Sequence, residues 1–368
     1  MKRVLFCLTS LTRTNGIAKF IMSYYPHVIN KVNIDFLLAY NTIDNKYKEI
    51  IEKGNGKIYV INCKNKLIRA TNTAKKICQI NKINRYDVIH INFIQQYALG
   101  CVIGAKISGI NKIIYHAHSP IIYNNLNLIR KLIGKLCVQY SNCLVACSNS
   151  TGISNFGRDN YIVMRNALNF KEYKYCLNDR NKYLKEFGLK NKFIIGVVGR
   201  ICEAKNPDGI LSILQGVLKI KPNSIILWIG SGEEKFESKL KKQISSKNLE
   251  KNFLLVGSRQ DVNRIYSCFD IFLLPSLYEG LGIVFLEAQA AGLPTFASSN
   301  VPKDVKCTDL INFITYNNNI DEWVNSIINC KSIIDREKYN EIMCNSDFSI
   351  EKNMKTLLQL YEDDIDKE

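Results

Sequence analysis

The sequence predicts an α/β chain built as two doubly wound, parallel-sheet domains in tandem. Three observations carry this. Short apolar runs that read as strands alternate with stretches of helical periodicity, the pattern of a parallel sheet covered on both faces. That alternation stops near residues 166–175, at Asn166-Ala167-Leu168-Asn169, and then restarts. The length, 368 residues, suits two domains of ordinary size. The divisions expected are 1–167, 168–345, and a segment 346–368 forming a C-terminal helix and acidic tail that returns toward the first domain.

The first domain opens with a strand at Lys2–Leu8. Its basic start and short apolar run look superficially like a secretory signal. Thr12, Arg13, Thr14 and Asn15 follow without a small-residue cleavage site, so the run is read as a strand. After the loop through Asn15-Gly16, a helix is marked by Ile17, Phe20, Ile21 and Tyr24. Strands are expected at Asn33–Ala39, Lys57–Ile61, Asp87–Ile91, Lys112–His116, Cys143–Ala146 and Tyr161–Met164. Helices are expected at Leu67–Ile80, Gln95–Ile107 and Asn127–Val138. The last has an apolar face of Leu128, Ile129, Leu132, Ile133 and Leu136 and a basic one of Arg130, Lys131 and Lys135.

The second domain begins at the strand Phe193–Val198. In the loop that follows, Asn206 is a helix cap, with Pro207 at the first helical position and Asp208 in the first turn. Ile225–Ile229, Phe253–Val256 and Ile271–Leu274 are further strands. A helix is expected from near Gly282, with Ile283, Val284, Leu286 and Ala290 at helical spacing and Gly292 and Pro294 ending it.

Composition narrows the function classes. The apolar share of 46% is ordinary for globular proteins. No apolar run reaches the length of a membrane-spanning helix. The thirteen cysteines are scattered, with no Cys-x-x-Cys pair and no zinc-spaced cluster. They read as free thiols of a reducing cytoplasm, Cys143 and Cys147 as core residues flanking a strand. Charge is uneven. Residues 1–165 carry 23 Lys and Arg against 6 Asp and Glu, whereas residues 166–368 carry 27 of each. The whole formal net charge of +17 therefore lies in the first half. Such a surface attracts nucleic acid, anionic lipid or an acidic ligand. There is no nucleic-acid motif and no interleaving of basic and aromatic residues, so no nucleic-acid partner is expected.

The chemistry concentrates between Pro275 and Pro294. A helix start behind a Gly-bearing loop leaves free backbone N–H groups at the positive end of the helix dipole, which suits an anion. Glu279 lies on the loop and Glu287 about two turns inside the helix. An anion site flanked by two acceptors fits a ligand with a diphosphate in its middle and hydroxyls at both ends, the shape of a nucleotide-sugar. The bland reading is a buried helix with two incidental glutamates. Arg200 and Lys205, on the loop after Phe193–Val198, supply cations in the same crevice for charge-assisted contacts to a diphosphate, or else are surface charges.

Taken together, Gly199-Arg200, Lys205, Asn206-Pro207, the run Pro275–Gly280, Glu287-Ala288 and Gly292-Leu293-Pro294 resemble glycosyltransferase family 4. Asn15-Gly16, the run Ile21–Tyr25, the run His116–Ser119 and Asp309-Leu310 are most similar to its bacterial exopolysaccharide and capsule members. The resemblance spans nearly the whole chain and is strongest in the second half. It implies the GT-B architecture, two facing Rossmann-like domains with a cleft between them. It implies a retaining, metal-independent hexosyltransferase using a nucleotide-sugar, UDP favoured over GDP, and no cofactor. The acceptor implied is a glycan or an undecaprenyl-diphosphate-linked sugar in surface polysaccharide biosynthesis. By the same resemblance the first domain handles the acceptor and the second the donor.

Residue by residue, the resemblance gives Arg200 and Lys205 the donor diphosphate and Glu279 the sugar hydroxyls. The backbone of Gly280, Leu281 and Gly282 completes the phosphate site, and Glu287 holds the ribose. His118 matches the family's first-domain histidine, expected to contact the transferred sugar and help stabilise the transition state; otherwise it is a satisfied core residue. His116 lies one pleat away, and His90 and Asn92 end the neighbouring strand. The family's Gly-Gly loop with a following acid is here Asn15-Gly16-Ile17-Ala18: Gly16 keeps the close backbone approach, and the acceptor end of the loop departs. The usual Asn-Gly of the interdomain connection is Asn166-Ala167. The Asp364-Ile365-Asp366 pattern lies in the tail without the strand–loop setting of a metal site. The basic first half and the helix at Asn127–Val138 point to peripheral docking on an anionic inner leaflet, with an ordinary surface helix as the alternative. Rival readings are a catalytically silent binding partner, a nucleotide-sugar epimerase and a phosphorylase of the same architecture.

Overall fold

The computed structural model describes residues 1–12, 15–63, 65, 68–93, 95–118, 128–315, 319–331 and 335–362. Arg13, Thr14, Ser119, Pro120 and the expected acidic tail lie outside them. The chain divides into two units, Met1–Leu168 together with Ile350–Glu368, and Asn169–Ser349.

Unit 1 runs β1 (Arg3–Leu8), α1 (Gly16–Val28), β2 (Asn33–Leu38), α2 (Asn45–Lys53), β3 (Ile58–Val60), α3 (Arg69–Asn84) and β4 (Val88–Ile91). It continues with α4 (Gln95–Ser108), β5 (Lys112–Ala117), α5 (Leu128–Tyr140), β6 (Cys143–Ala146), α6 (Asn149–Phe156) and β7 (Ile162–Val163). The described strands form a seven-stranded sheet in the order β3-β2-β1-β4-β5-β6-β7. Every pairing is parallel. Alternation along the strands sorts two cores. Val4, Phe6, Val88, Ile114 and Val145 pack with α1, α2 and the C-terminal helix Ile350–Glu362. Leu5, Cys7, Ile89, Ile91, Ile113 and Tyr115 pack with α3, α4 and α5. The C-terminal helix buries Ile350, Leu357, Leu358, Leu360 and Tyr361 against this sheet. All thirteen cysteines are free, but Cys143 and Cys147 are half-buried rather than core, because each sits where β6 meets a loop.

Unit 2 runs α7 (Leu177–Glu186), β8 (Phe193–Val198), α8 (Pro207–Ile220), β9 (Ser224–Ile229), α9 (Glu234–Ser246), β10 (Phe253–Gly257) and α10 (Val262–Ile265). Then come β11 (Ile271–Leu274), α11 (Ile283–Ala290), β12 (Thr295–Ser298), β13 (Ile311–Ile314), α12 (Ile320–Ile328) and α13 (Arg336–Cys344). Its sheet is parallel throughout, in the order β10-β9-β8-β11-β12-β13. Asp270 pins the centre: its carboxylate accepts from Ile194 N at 2.7 Å and from the Arg180 guanidinium at 2.7 Å. In each unit the chain leaves the sheet centre in both directions. Such a switch point opens a crevice at the carboxyl ends of the two central strands, β1/β4 and β8/β11.

Candidate active site

In unit 2 the loops after β8 and β11 meet at that crevice. Asn206 takes a left-handed conformation, φ 55°, and caps α8 by accepting from Gly209 N at 3.1 Å. Its amide donates across to the Pro275 carbonyl oxygen at 3.1 Å, and Leu277 N donates to the Ala204 carbonyl oxygen at 2.9 Å. The two loops are therefore one hydrogen-bonded body. Within it Lys205 Nζ forms an ion pair with Glu279 Oε1, their side chains only 16% and 9% exposed. Ser276 Oγ donates to the same carboxylate oxygen at 2.7 Å, and Ser298 Oγ fixes the Ser276 carbonyl. Glu279 is thus an oriented carboxylate, with lone pairs left for further donors. Gly282 caps α11 at φ 84°, a region that favours glycine, so the loop turns sharply; Phe285 N donates to the Gly282 carbonyl oxygen at 3.0 Å, and the N–H groups of Ile283 and Val284 have no partner among the described residues. A Cβ on Gly280 would meet nothing within 4 Å. Arg200 is exposed and has no hydrogen-bond or ion-pair partner among the described residues.

Glu287 lies further into α11. Tyr173 donates its hydroxyl to Oε1 at 3.0 Å and Tyr266 donates to Oε2 at 2.7 Å. Burial first, then the Glu287 carboxylate itself, pushes both phenols far above their ordinary range, so they remain protonated donors. The carboxylate is held in place by these two hydroxyls.

In unit 1 the carboxyl ends of β4 and β5 carry a histidine cluster. Pleat alternation turns His90 and His116 to the face covered by α1 and the C-terminal helix. Tyr361 OH lies 2.9 Å from His90 Nδ1, and His90 Nε2 lies 3.1 Å from His116 Nδ1. His118 stacks on His116 with ring centroids 4.0 Å apart, and its Nε2 lies 2.7 Å from Asn92 Oδ1. Phe20 of α1 meets both rings edge-on, at 5.4 and 5.3 Å. Burial pushes His90 and His118 down to about 3 and His116 well below its ordinary value, and neighbouring histidines add to this for His90 and His116. All three rings are neutral at physiological pH. At the start of α1, Asn15 Oδ1 accepts from Ile17 N at 2.9 Å and from Ala18 N at 3.3 Å, so the unusual Asn15 is the helix cap. A Cβ on Gly16 would meet nothing within 4 Å, which leaves the backbone there open to a ligand.

Residues 179–343 match the family described as Glycosyl transferases group 1. An Escherichia coli UDP-Gal:α-D-GlcNAc-diphosphoundecaprenol α-1,3-galactosyltransferase is 26% identical over 82% of this chain and 82% of its own. Unit 2 thus carries a group 1 glycosyl transferase domain. The Bacillus subtilis glycosyltransferase EpsF is 24% identical over 98% of this chain and 96% of its own. Among solved structures, a Rickettsia africae glycosyltransferase covers 98% of each chain with a TM-score of 0.80 at 19% identity. Anabaena HepE in complex with UDP covers 98% of this chain and 99% of its own, with a TM-score of 0.75 at 17% identity. Two parallel sheets with flanking helices in these proportions are the GT-B fold.

The structure brings Lys205, Glu279 and the Gly280–Gly282 turn together in one crevice, with Glu287 on the helix that leaves it. Sequence reasoning missed the residues that orient them. Ser276 sits inside the motif and was readable there. Tyr173 and Tyr266 lie 114 and 21 residues from Glu287, and Tyr361 lies 271 from His90, so only packing joins them.

Proposed function

We propose that this protein is a glycosyltransferase, a retaining, metal-independent hexosyltransferase of family 4, moving a sugar from a UDP-sugar to a lipid-linked glycan acceptor in surface polysaccharide biosynthesis. The observation that carries the reading is the Ser276-oriented, Lys205-paired Glu279 beside the open start of α11. Lys205 and Arg200 hold the diphosphate and stabilise the charge that builds on the departing nucleotide. Lys205 has three N–H donors, enough to bridge Glu279 and a phosphate oxygen at once. Glu279 accepts from the sugar hydroxyls, Glu287 from the ribose diol, and His118 acts at the transferred sugar. The bond from the anomeric carbon to the donor phosphate oxygen breaks, the acceptor oxygen bonds to the same face, and the acceptor proton passes to that phosphate oxygen. The lipid-linked acceptor and UDP are supported by the activity of the Escherichia coli relative and by the UDP bound to HepE.

Peripheral membrane docking belongs to the same reading. Leu132 on α5 is 58% exposed between the exposed Lys131 and Lys135. No helix of the described residues is long and apolar enough to cross a membrane. Changing Lys131 and Lys135 to Glu is expected to release the protein from anionic vesicles; unchanged flotation removes α5 as the docking element.

The test of the activity is transfer from UDP- and GDP-hexoses to lipid-linked acceptors in EDTA, beside thermal shift of wild type and Glu287→Ala with UDP, GDP and ADP. A shift with UDP that Glu287→Ala abolishes, and a product with the donor's anomeric configuration, support the reading. No shift with any nucleotide overturns it.

A further inference from the structure

The hydrogen bonds around His118 determine which of its ring nitrogens carries the proton. Asn92 Nδ2 lies 3.1 Å from the His90 carbonyl oxygen. A carbonyl only accepts, so the NH2 end of the amide must point there. The other end, Oδ1, is then the atom 2.7 Å from His118 Nε2. Oδ1 also only accepts, so Nε2 bears the hydrogen. A neutral imidazole holds one ring proton, which leaves Nδ1 as a bare lone pair. Nδ1 has no partner among the described residues and, unlike His116 Nε2, is not a sealed buried atom.

The surroundings keep the ring neutral. His116 stacks beneath it and His90 lies beyond, so a cation on any one ring would face two further imidazoles in a desolvated site. Among the described residues, the other groups packed there are Phe20 from α1, Asn92, itself 3% exposed, and the protonated phenol of Tyr361 from the C-terminal helix. None of these carries a charge that would favour imidazolium.

We propose that Asn92 is a positioning residue that locks His118 as the Nε2–H tautomer, so that His118 offers the transferred sugar a hydrogen-bond acceptor at Nδ1. The proposal rests on the reading that His118 meets that sugar. It adds a restriction on the donor: the transferred sugar must carry an O–H or N–H donor where it meets His118, because only a donor can satisfy the lone pair. Deoxy or O-methyl sugars modified at that position are poor donors.

Long-range proton–nitrogen NMR on the full chain with labelled histidine tests the tautomer directly. The expected spectrum has a protonated Nε2 and a bare Nδ1 for His118, unchanged between pH 8 and pH 5. A protonated Nδ1, or titration of the ring in that range, overturns the proposal without recourse to any variant. Asn92→Asp places a carboxylate beside Nε2; it is expected to raise the pKa of His118 and to make the transfer rate fall toward low pH where wild type does not. Asn92→Ala frees the tautomer and is expected to lower kcat at least tenfold with the donor KM within about threefold. An unchanged His118 spectrum and an unchanged pH–rate profile in Asn92→Asp overturn the positioning role. His118→Ala with wild-type transfer overturns the contact with the sugar, a failure that the tautomer spectrum separates from the first.

Discussion

Lowering the pH from 7 to 5 is expected to destabilise unit 1 and leave unit 2 nearly unaffected. The cause is the histidine cluster. Burial holds the folded pKa of His90 and His118 at about 3, below the value of about 6.5 of an unfolded chain. As pH falls through 6.5 the unfolded chain takes up protons that the folded chain cannot, so the stability present above that pH is progressively lost down to about 3 and not further. For a fully buried ring such as His90 the loss between pH 7 and pH 5 is about 2 kcal/mol. His116, equally enclosed, adds in the same direction. The sum is on the order of 4 kcal/mol, a large share of the stability of an ordinary domain. Carboxylates complicate this little, since their usual range lies below pH 5. The assay is urea unfolding at both pH values, followed by circular dichroism and by tryptophan fluorescence. Both tryptophans, Trp228 and Trp323, lie in unit 2, so fluorescence reports that unit alone and serves as the internal control. Hydrogen exchange in β4 and β5 reports unit 1. Equal protection of these strands at pH 7 and pH 5 refutes the reasoning, as does an undiminished pH effect in His90→Asn/His116→Asn.

Other perturbations have equally definite outcomes. Glu279→Gln leaves the Lys205 ammonium, 16% exposed, without its counter-charge; transfer is expected to fall at least a hundredfold, and initial rates near wild type would remove Glu279 from the mechanism. Tyr266→Phe removes a hydroxyl 2.7 Å from Glu287, a bond to a charged group worth about 1.5–3 kcal/mol, so UDP affinity by calorimetry should weaken about tenfold or more. Gly209→Ala places a Cβ 2.4 Å from Asn206 Nδ2 and disrupts the cap of α8 and its tie to the β11 loop; a loss of about 1–2 kcal/mol is expected in unit 2 by fluorescence-detected unfolding. Chelation with EDTA is expected to leave the transfer rate unchanged, and recovery by added Mg2+ or Mn2+ after loss would contradict metal independence.

Much of this was legible because local chemistry agreed with the fold. The strands Phe193–Val198, Cys143–Ala146 and Ile271–Leu274 stand where their apolar runs place them. Asn206-Pro207-Asp208 caps α8 as its chemistry requires. Other elements left no such mark. In α2 only Ile51 is buried, so a nine-residue polar helix shows little periodicity, and its Asp44 cap is the readable sign. The eight-residue α6 is too short to show periodicity and is announced by Ser148 alone. Asn15 looked like a departure from a glycine loop, whereas the structure gives it the work of a cap, for which asparagine is among the preferred residues. The histidines show the limit most clearly. Alternation along one strand puts His116 and His118 on the same face, but their relation to His90, Asn92 and Tyr361 depends on β4 lying beside β5 and on a helix from the far end of the chain.

That distant helix has a consequence for how the polypeptide is made and cut. Leu168 and Ile350 are hydrogen-bonded neighbours, the Ile350 amide 3.0 Å from the Leu168 carbonyl oxygen. Unit 2 is therefore an insertion carried between two adjoining points of unit 1. On the ribosome the first sheet cannot be completed when its own strands emerge; His90 waits for Tyr361, 271 residues further on, to be synthesised. Fragments should respect this. Residues 169–349 form a continuous piece to express alone, whereas 1–168 lack the strip that covers one face of their sheet. Joining residue 168 directly to residue 350 would restore that strip and give unit 1 as an independent protein.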